Sequence, residues 1–417
     1  MKNSLTQAIA IFGYNNSRIY DVQKLRLLAA DKGAVIVLVK EGITEQDRAV
    51  TPYCFDAKPE SPSLAKSLND FLNHHNLKLM GCLPFSDKGV IGAAYVAREF
   101  GLFCDDELSA QAMLDKSKFR LLEKEYLIDS TLYRKPFFQR VDDIPSLQAF
   151  FKKIGVFFIK PASEGNSRGC MKITTSDELE GWIQDHGHYL CQGVMCEEYL
   201  SSGNEYSFDG VNGSYWITEK HTTNGAFRAE FQHIIPAPLA ANMEAKIHKI
   251  LRPLLKQLGS KGGAFHHEFF ILPDQRLASV EPNRRPAGMW LWDLASWSFE
   301  NFNPWKDWMD LCCGDRPGTK ALKPVCYSGV RGVISNRTGS LESIDRKKIE
   351  NQFNEVFGFG NYRLSFLKGE GSQVTDDPKD NSDFLGFVAL RHENPDELKK
   401  QLALANKIFC EALVVRT

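Results

Sequence analysis

The sequence has no excess of charge of either sign, no long apolar run and no paired-cysteine signature. Each absence removes a class of function. With 51 Lys+Arg against 52 Asp+Glu, the formal net charge is -1, so no global field draws the chain to nucleic acid or to a membrane surface. No segment approaches the apolar length of a membrane span. The opening MKNSLTQAIAIFGY is too short an apolar run for a secretory signal and is ended by Gly13. There are ten Cys, but no CxxC pair and no Cys/His ligand spacing, and the adjacent Cys312 and Cys313 cannot easily bridge. Buried thiols in a reducing cytosol, and hence a cytoplasmic protein, are the expectation. A GxxxxGKS/T motif is missing, which excludes a P-loop. Internal repeats and low-complexity tracts are missing too. The long polar, breaker-rich stretch at 369–383 reads as an exposed loop.

What is present is an ordinary globular composition, 43% hydrophobic and 25% charged over 417 residues. That length suits about two or three domains, on a prior of roughly 150 residues each. The first hundred residues alternate strand and helix signals. Strands are predicted at Ala8–Phe12, Ala34–Val39 and Leu79–Leu83, and helices at Ile19–Lys32, Ser63–His75 and Asp87–Phe100. This order implies a parallel sheet covered on both faces, with ligands at the carboxyl ends of its strands. Gly13-Tyr14-Asn15 and Pro84-Phe85-Ser86 follow strand ends and are candidate substrate loops. The spacing predicts one helix over Ser109–Tyr126, with Asp115-Lys116-Ser117-Lys118 on a solvated face.

The stretch Gly263–Gly288 reads as two strands joined by the turn Pro273-Asp274-Gln275-Arg276. If Leu272 pairs with Leu277, then Glu268 faces Glu281 across the ladder, with Cβ atoms roughly 4.5–5.5 Å apart. Two like charges so placed call for a cation, and a divalent ion with oxygen ligands is the usual candidate. Alternation puts Asn283 and Arg285 on the same face as Glu281. Farther upstream, Val156–Ile159 is a strand ending in Lys160. A small-residue loop, Pro161–Gly169, leads from it into a second strand, Cys170–Thr174. The loop's N–H groups can donate to phosphate oxygens, and Lys160 adds a point charge. Thr175 opens a helix with Glu178 set for a capping box. Strands follow at Met195–Leu200, Glu205–Val211 and Ser214–Lys220, and a helix at Ala240–Leu258. The Trp-rich stretch Gly288–Gly314 reads as helix core. From Val325 onward the rhythm is that of antiparallel strands and two helices, Asp345–Val356 and Asn394–Ala412.

Taken together, these segments resemble the ATP-grasp superfamily of ligases. Asp115-Lys116 with Phe119-Arg120 is similar to the family's first nucleotide lysine segment. Ile159-Lys160-Pro161-Ala162 with Gly165, Ser167 and Gly169 is similar to its second lysine and phosphate loop. Glu197-Glu198-Tyr199-Leu200 resembles the hinge that reads adenine. By that resemblance Glu198 and Leu200 offer main-chain contacts to the base, and Glu205 bonds the ribose. Glu268, Glu281 and Asn283 fall on the magnesium ligands and Arg285 on the arginine that holds the acyl phosphate, leaving Arg285, Lys160 and Lys116 as the catalytic candidates.

The fold so implied is α/β and α+β, in three parts. They are an N-terminal parallel α/β domain over 1–108, an ATP-grasp domain over 109–325 with a nucleotide lid at about 110–200, and an α+β subdomain over 326–417. After Arg285 the chain reads Pro286-Ala287-Gly288-Met289-Trp290, without the glutamate base of biotin carboxylases. The run GAFHHEF followed by EPNRRPAG is most similar to the L-amino-acid ligases, which make dipeptides and related amides. The resemblance therefore implies an ATP-dependent ligase joining a small carboxylic acid to an amine, such as an amino acid, with Mg²⁺ (Mn²⁺ as a substitute) and often as a homodimer. A carboxylase or a nucleotide-biosynthesis ligase is the alternative, and a non-catalytic nucleotide-binding module a remote one. Gly288, Met289, Trp290, Trp292 and His233 are candidate substrate contacts; His266 and Lys220 remain open between contact and core.

Overall fold

Residues 34–39 are an unbroken apolar run, AVIVLV, the pattern of a strand buried on both faces. In the computed structural model, which describes residues 5–416 other than 164, 166, 167, 201, 202, 225, 226, 316, 317 and 320, this run sits inside a parallel sheet. Its strands are ordered Cys54–Asp56, Ala34–Lys40, Thr6–Phe12, Leu77–Pro84. Ala8, Ala10 and Phe12 pack with Leu64, Leu68 and Val96 on one face. Ile9 and Ile11 pack on the other with Val22, Leu25 and the tryptophans Trp292, Trp305 and Trp308. The strand order reverses direction between Thr6–Phe12 and Leu77–Pro84. The crevice at their carboxyl ends is flanked by Gly13 and by Ser86, which caps the helix Asp87–Phe100.

An eight-stranded antiparallel sheet forms the body of the molecule. Its order is Leu277–Asn283, Phe265–Ile271, Asn204–Val211, Ser214–Thr222, Glu230–Ile235, Tyr327–Gly332, Gly386–His392, Tyr362–Phe366. Strands from both sides of residue 325 thus pair within one sheet, Glu230–Ile235 lying against Tyr327–Gly332. The helix Ala241–Gln257 covers one side through Ile247, Leu251 and Leu254. A small sheet, ordered Phe138–Val141, Val194–Glu198, Phe157–Pro161, Met171–Ile173, is linked to the outer hairpin through Arg120, which donates to Glu197 and to Ser279 O. A three-stranded sheet closes the carboxyl end, with Gln373–Val374, from the stretch read as a loop, on its edge.

Two expectations change in detail. The helix predicted over 109–126 is two helices, Glu107–Leu114 and Lys116–Lys124. Asp115 takes extended backbone between them and accepts from the N–H groups of Ser117 and Lys118. That break places Lys116 at a helix start, and its side chain is 11% exposed, not on a solvated face. In the hairpin, Leu277 pairs with Ile271, not Leu272, and Gln275 takes a left-handed φ of 65°. Val280 is then an extra residue opposite the Glu268–Phe269 step, and this bulge restores the pairing of Glu268 with Glu281.

Candidate active site

Glu268 and Glu281 face each other on the outer hairpin, and each carboxylate meets a different lysine. Lys116 Nζ lies 3.2 Å from Glu281 Oε2, and Lys220 Nζ lies 2.9 Å from Glu268 Oε1. Asn283 donates from Nδ2 to Glu281 Oε1 at 2.9 Å, as expected for residues two apart on one strand face. Burial opposes the charge on Lys116, but Glu281, Cys170 and Asp87 outweigh it and hold its pKa above the usual lysine value. Two carboxylates facing across a ladder, with an amide beside them, are hard oxygen donors of the kind Mg²⁺ takes. The residues present therefore fit such an ion.

Lys220, whose role the sequence does not assign, gathers three carboxylates. Its fully buried ammonium contacts Glu205 at 2.9 Å, Glu230 at 3.0 Å and Glu268 at 2.9 Å. Burial disfavours that ammonium, yet the three carboxylates hold its pKa well above the ordinary value. In return, and against burial, Lys220 helps push Glu230 down to about 2 and Glu268 well below the carboxylate range. Glu205 goes the other way: burial raises it, and its neighbours Glu268 and Glu230 add to the rise. The signal for Lys220 was present in the hairpin. A tight turn at Asn212-Gly213 pairs Val211 with Ser214 and therefore Glu205 with Lys220. His233 is buried, with Nε2 3.4 Å from Glu230. His266 lies between Asp209 (Nδ1, 2.6 Å) and Glu268 (Nε2, 3.0 Å). Burial would lower its pKa, but Asp209 and Glu268 push it up to about 9. Asp209 is itself held by the hydroxyls of Ser207 and Thr218, at 2.6 and 2.7 Å.

Lys160, at the end of Phe157–Pro161, pairs with Glu197. Glu197 also accepts from Arg120 Nε at 2.8 Å, and these two cations hold its carboxyl below the usual range against burial. Glu198 bonds Arg134 at 2.9 Å, and its N–H donates to Phe137 O. Leu200 lies just past the strand end. Lys116 N donates to Ala162 O at 3.0 Å, tying the two lysine segments together. The far end of the phosphate-loop candidate is pinned where Trp182 Nε1 donates to Gly169 O at 2.8 Å. Gly169 has a φ of 68°, and a Cβ there would lie 2.9 Å from the Tyr189 ring. Ser167 lies outside the described residues.

Arg285 follows the hairpin and bonds Asp87 of the N-terminal sheet's helix. Gly288 leads into Met289 and Trp290, both in left-handed backbone with φ of 47° and 59°. The Arg363 guanidinium lies 4.1 Å over the Trp290 ring. Trp292, expected beside them as a pocket wall, is instead fully buried against Trp305 and Trp308. Its spacing from Trp290 turns it to the core side of the helix Leu291–Ser298.

No family model matches the chain. Among curated proteins it is similar to a D-alanine–D-alanine ligase of Oenococcus oeni, 24% identical over 168 residues, which are 36% of this chain and 44% of that one. The D-alanine–D-alanine ligase of Paraburkholderia phymatum is 26% identical over 240 residues, 53% of this chain and 71% of that one. The match to the first thus spans less than half of its length. Likeness to solved structures runs the length of the chain. An L-amino acid ligase from Bacillus licheniformis superposes with a TM-score of 0.75 over 99% of this chain and 100% of that one, at 15% identity. Phosphoribosylglycinamide synthetase from Anaerococcus prevotii gives 0.68 over 99% of each chain, at 14% identity. N5-carboxyaminoimidazole synthetase from Staphylococcus aureus, complexed with ADP, gives 0.67 over 97% and 98%, at 16% identity. The chain has the ATP-grasp fold and is similar in sequence to D-alanine–D-alanine ligases, with an L-amino acid ligase among its solved neighbours.

Proposed function

We propose that the chain is an ATP-dependent carboxylate–amine ligase that forms an amide or peptide bond between small molecules through an acyl phosphate. The observation that carries this reading is the Glu268–Glu281 pair, with Lys116 and Asn283 bonded to Glu281 and the Arg285 guanidinium close enough to feel both carboxylates. A carboxylate is a poor acceptor for an amine until the ATP γ-phosphoryl group is transferred to it. That transfer asks mainly for positioning and charge neutralisation.

Lys116 and Lys160 neutralise phosphate charge; each rests on a glutamate here, Glu281 and Glu197. Glu268, Glu281 and Asn283 would hold about one or two Mg²⁺ ions, which when bound offset the charge on the phosphate oxygens. Arg285 holds the acyl phosphate bidentately, as a lysine cannot. The 161–169 loop excludes water that would hydrolyse the intermediate. The amine, an amino acid in this reading, then attacks, and ADP and phosphate leave. Glu198, Leu200 and Glu205 serve the nucleoside; Gly288, Met289, Trp290 and His233 border the substrates. The cytoplasm is the matching site of action, and no helix among the described residues is long and apolar enough to cross a membrane.

The likeness to phosphoribosylglycinamide and N5-carboxyaminoimidazole synthetases supports a second reading, a carboxylase or a nucleotide-biosynthesis ligase. The run Pro286–Trp290, which lacks a carboxylase-type glutamate, weighs against the carboxylase. Release of ADP and phosphate over a matrix of acids and amines, with product mass, tests the choice. ADP release that requires bicarbonate, or that never requires an amine, would sink the amide-ligase reading.

A further inference from the structure

Arg285 is held from outside the hairpin that carries it. Its Nε donates to Asp87 Oδ1 at 2.8 Å and its Nη2 to Asp87 Oδ2 at 3.2 Å, a two-point fork that fixes the plane of the guanidinium. Among the described residues Nη1 bonds Pro286 O, at 3.5 Å, a longer contact than either arm of the fork.

Asp87 comes from the other sheet. It is the first residue of the helix Asp87–Phe100, just past the strand Leu77–Pro84. That helix is closely packed at its start. A Cβ at Gly89 would lie 2.0 Å from Phe12 O, and one at Gly92 would lie 1.8 Å from Pro59 O, so the helix start is seated directly on neighbouring backbone. A second link binds the same segments: Arg18 Nη1 donates to Pro286 O at 3.1 Å, and the Arg18 guanidinium lies 4.3 Å over the Phe85 ring. On its other side Asp87 borders the phosphate-loop candidate, since a Cβ at Gly165 would lie 3.4 Å from Asp87 Oδ2. The Asp87 carboxyl is kept below the usual range by Arg285, Lys116 and His266, which outweigh its burial.

We propose that Asp87 is a positioning residue that acts through Arg285, fixing the guanidinium in the orientation in which it meets the acyl phosphate. An arginine on a flexible stem loses less entropy per bond formed when its fork is already oriented. The strand–helix unit Leu77–Phe100 thereby belongs to the catalytic apparatus and not only to the scaffold. This rests on the role given to Arg285 under the proposed ligase activity.

The test is a double-mutant cycle of Asp87→Asn and Arg285→Lys in the full chain, followed by ADP release with the best acid–amine pair and by thermal unfolding. Asp87→Asn is expected to lower kcat on the order of 100-fold, the scale of a misplaced reacting group. KM for ATP and the melting temperature should stay near the parent's, and Asp87→Glu should recover part of the loss. In the Arg285→Lys background the same Asp87→Asn change should cost less than about threefold, because the group it orients has gone. Losses that multiply independently, or an Asp87→Asn loss that follows the melting temperature, overturn the inference and leave the ligase reading standing. A parent that releases no ADP with any acid–amine pair overturns both.

Discussion

At the scale of single residues, the chain places charges where burial opposes them and supplies partners in compensation. Asp47 shows the pattern outside the site. It is fully buried and bonded by Tyr14, Lys40 at 3.0 Å and the N–H of Thr44 at 2.7 Å. Burial raises its pKa, but these bonds overcome that and bring it from 3.8 down to about 2. A depressed carboxylate stabilises the fold above its unfolded pKa, and the gain is lost as pH falls through the folded value. We expect Asp47→Asn to cost on the order of 2 kcal/mol at neutral pH. The gap from the parent should close between pH 3.8 and about 2, as read by denaturant unfolding across that range; a gap independent of pH would refute the assignment. In the site, Glu281 carries the sharpest expectation. Glu281→Gln keeps the shape of the hairpin but removes the charge that Lys116 meets at 3.2 Å. Turnover should become undetectable while the far-ultraviolet dichroism stays that of the parent, and retained activity would mean that Glu281 holds no metal.

At the scale of elements, much was legible because tight turns fix register. Gly213 set Asn204–Val211 against Ser214–Thr222, and the Asp87–Phe100 helix stands at its predicted bounds because Ser86 and Gly101 mark both ends. The Glu268–Glu281 pairing was reached from the sequence through the wrong turn register. A bulge at Val280 cancels a one-residue error at Leu272, and an alternation argument does not contain bulges. The strand Glu230–Ile235, which brings Glu230 to Lys220, was not anticipated. It is interior to the sheet, and its half-apolar run EFQHII has neither clean alternation nor a tight turn before it. Asp87 was invisible for another reason: an acidic residue in a first helical turn is already accounted for by the helix dipole. The 161–169 loop ends at Gly169, beside the Tyr189 ring. Gly169→Ala puts a Cβ 2.9 Å from the Tyr189 ring at a φ of 68°, a local penalty of about 1 kcal/mol or more. It should raise KM for ATP several-fold with little change in melting temperature. An unchanged KM would detach this loop from the nucleotide.

In the molecule as a whole, side chains from three sheets are linked to one another at the site. The outer hairpin gives Glu268, Glu281 and Asn283, the small sheet gives Lys160 and Glu197, and the N-terminal sheet gives Asp87 to Arg285. Between them Lys116 touches two bodies, its N–H on Ala162 and its ammonium on Glu281. Such an arrangement suits a reaction that must hold a phosphate donor, an acid and an amine together while keeping water out. If the acid passes through an acyl phosphate, one of its carboxylate oxygens must leave with the phosphate. With the best acid–amine pair, the acid is labelled with heavy oxygen in its carboxylate, and the released phosphate is analysed by mass. One labelled oxygen per turnover should appear in phosphate, the product amide keeping the other. Unlabelled phosphate released alongside ADP would contradict it.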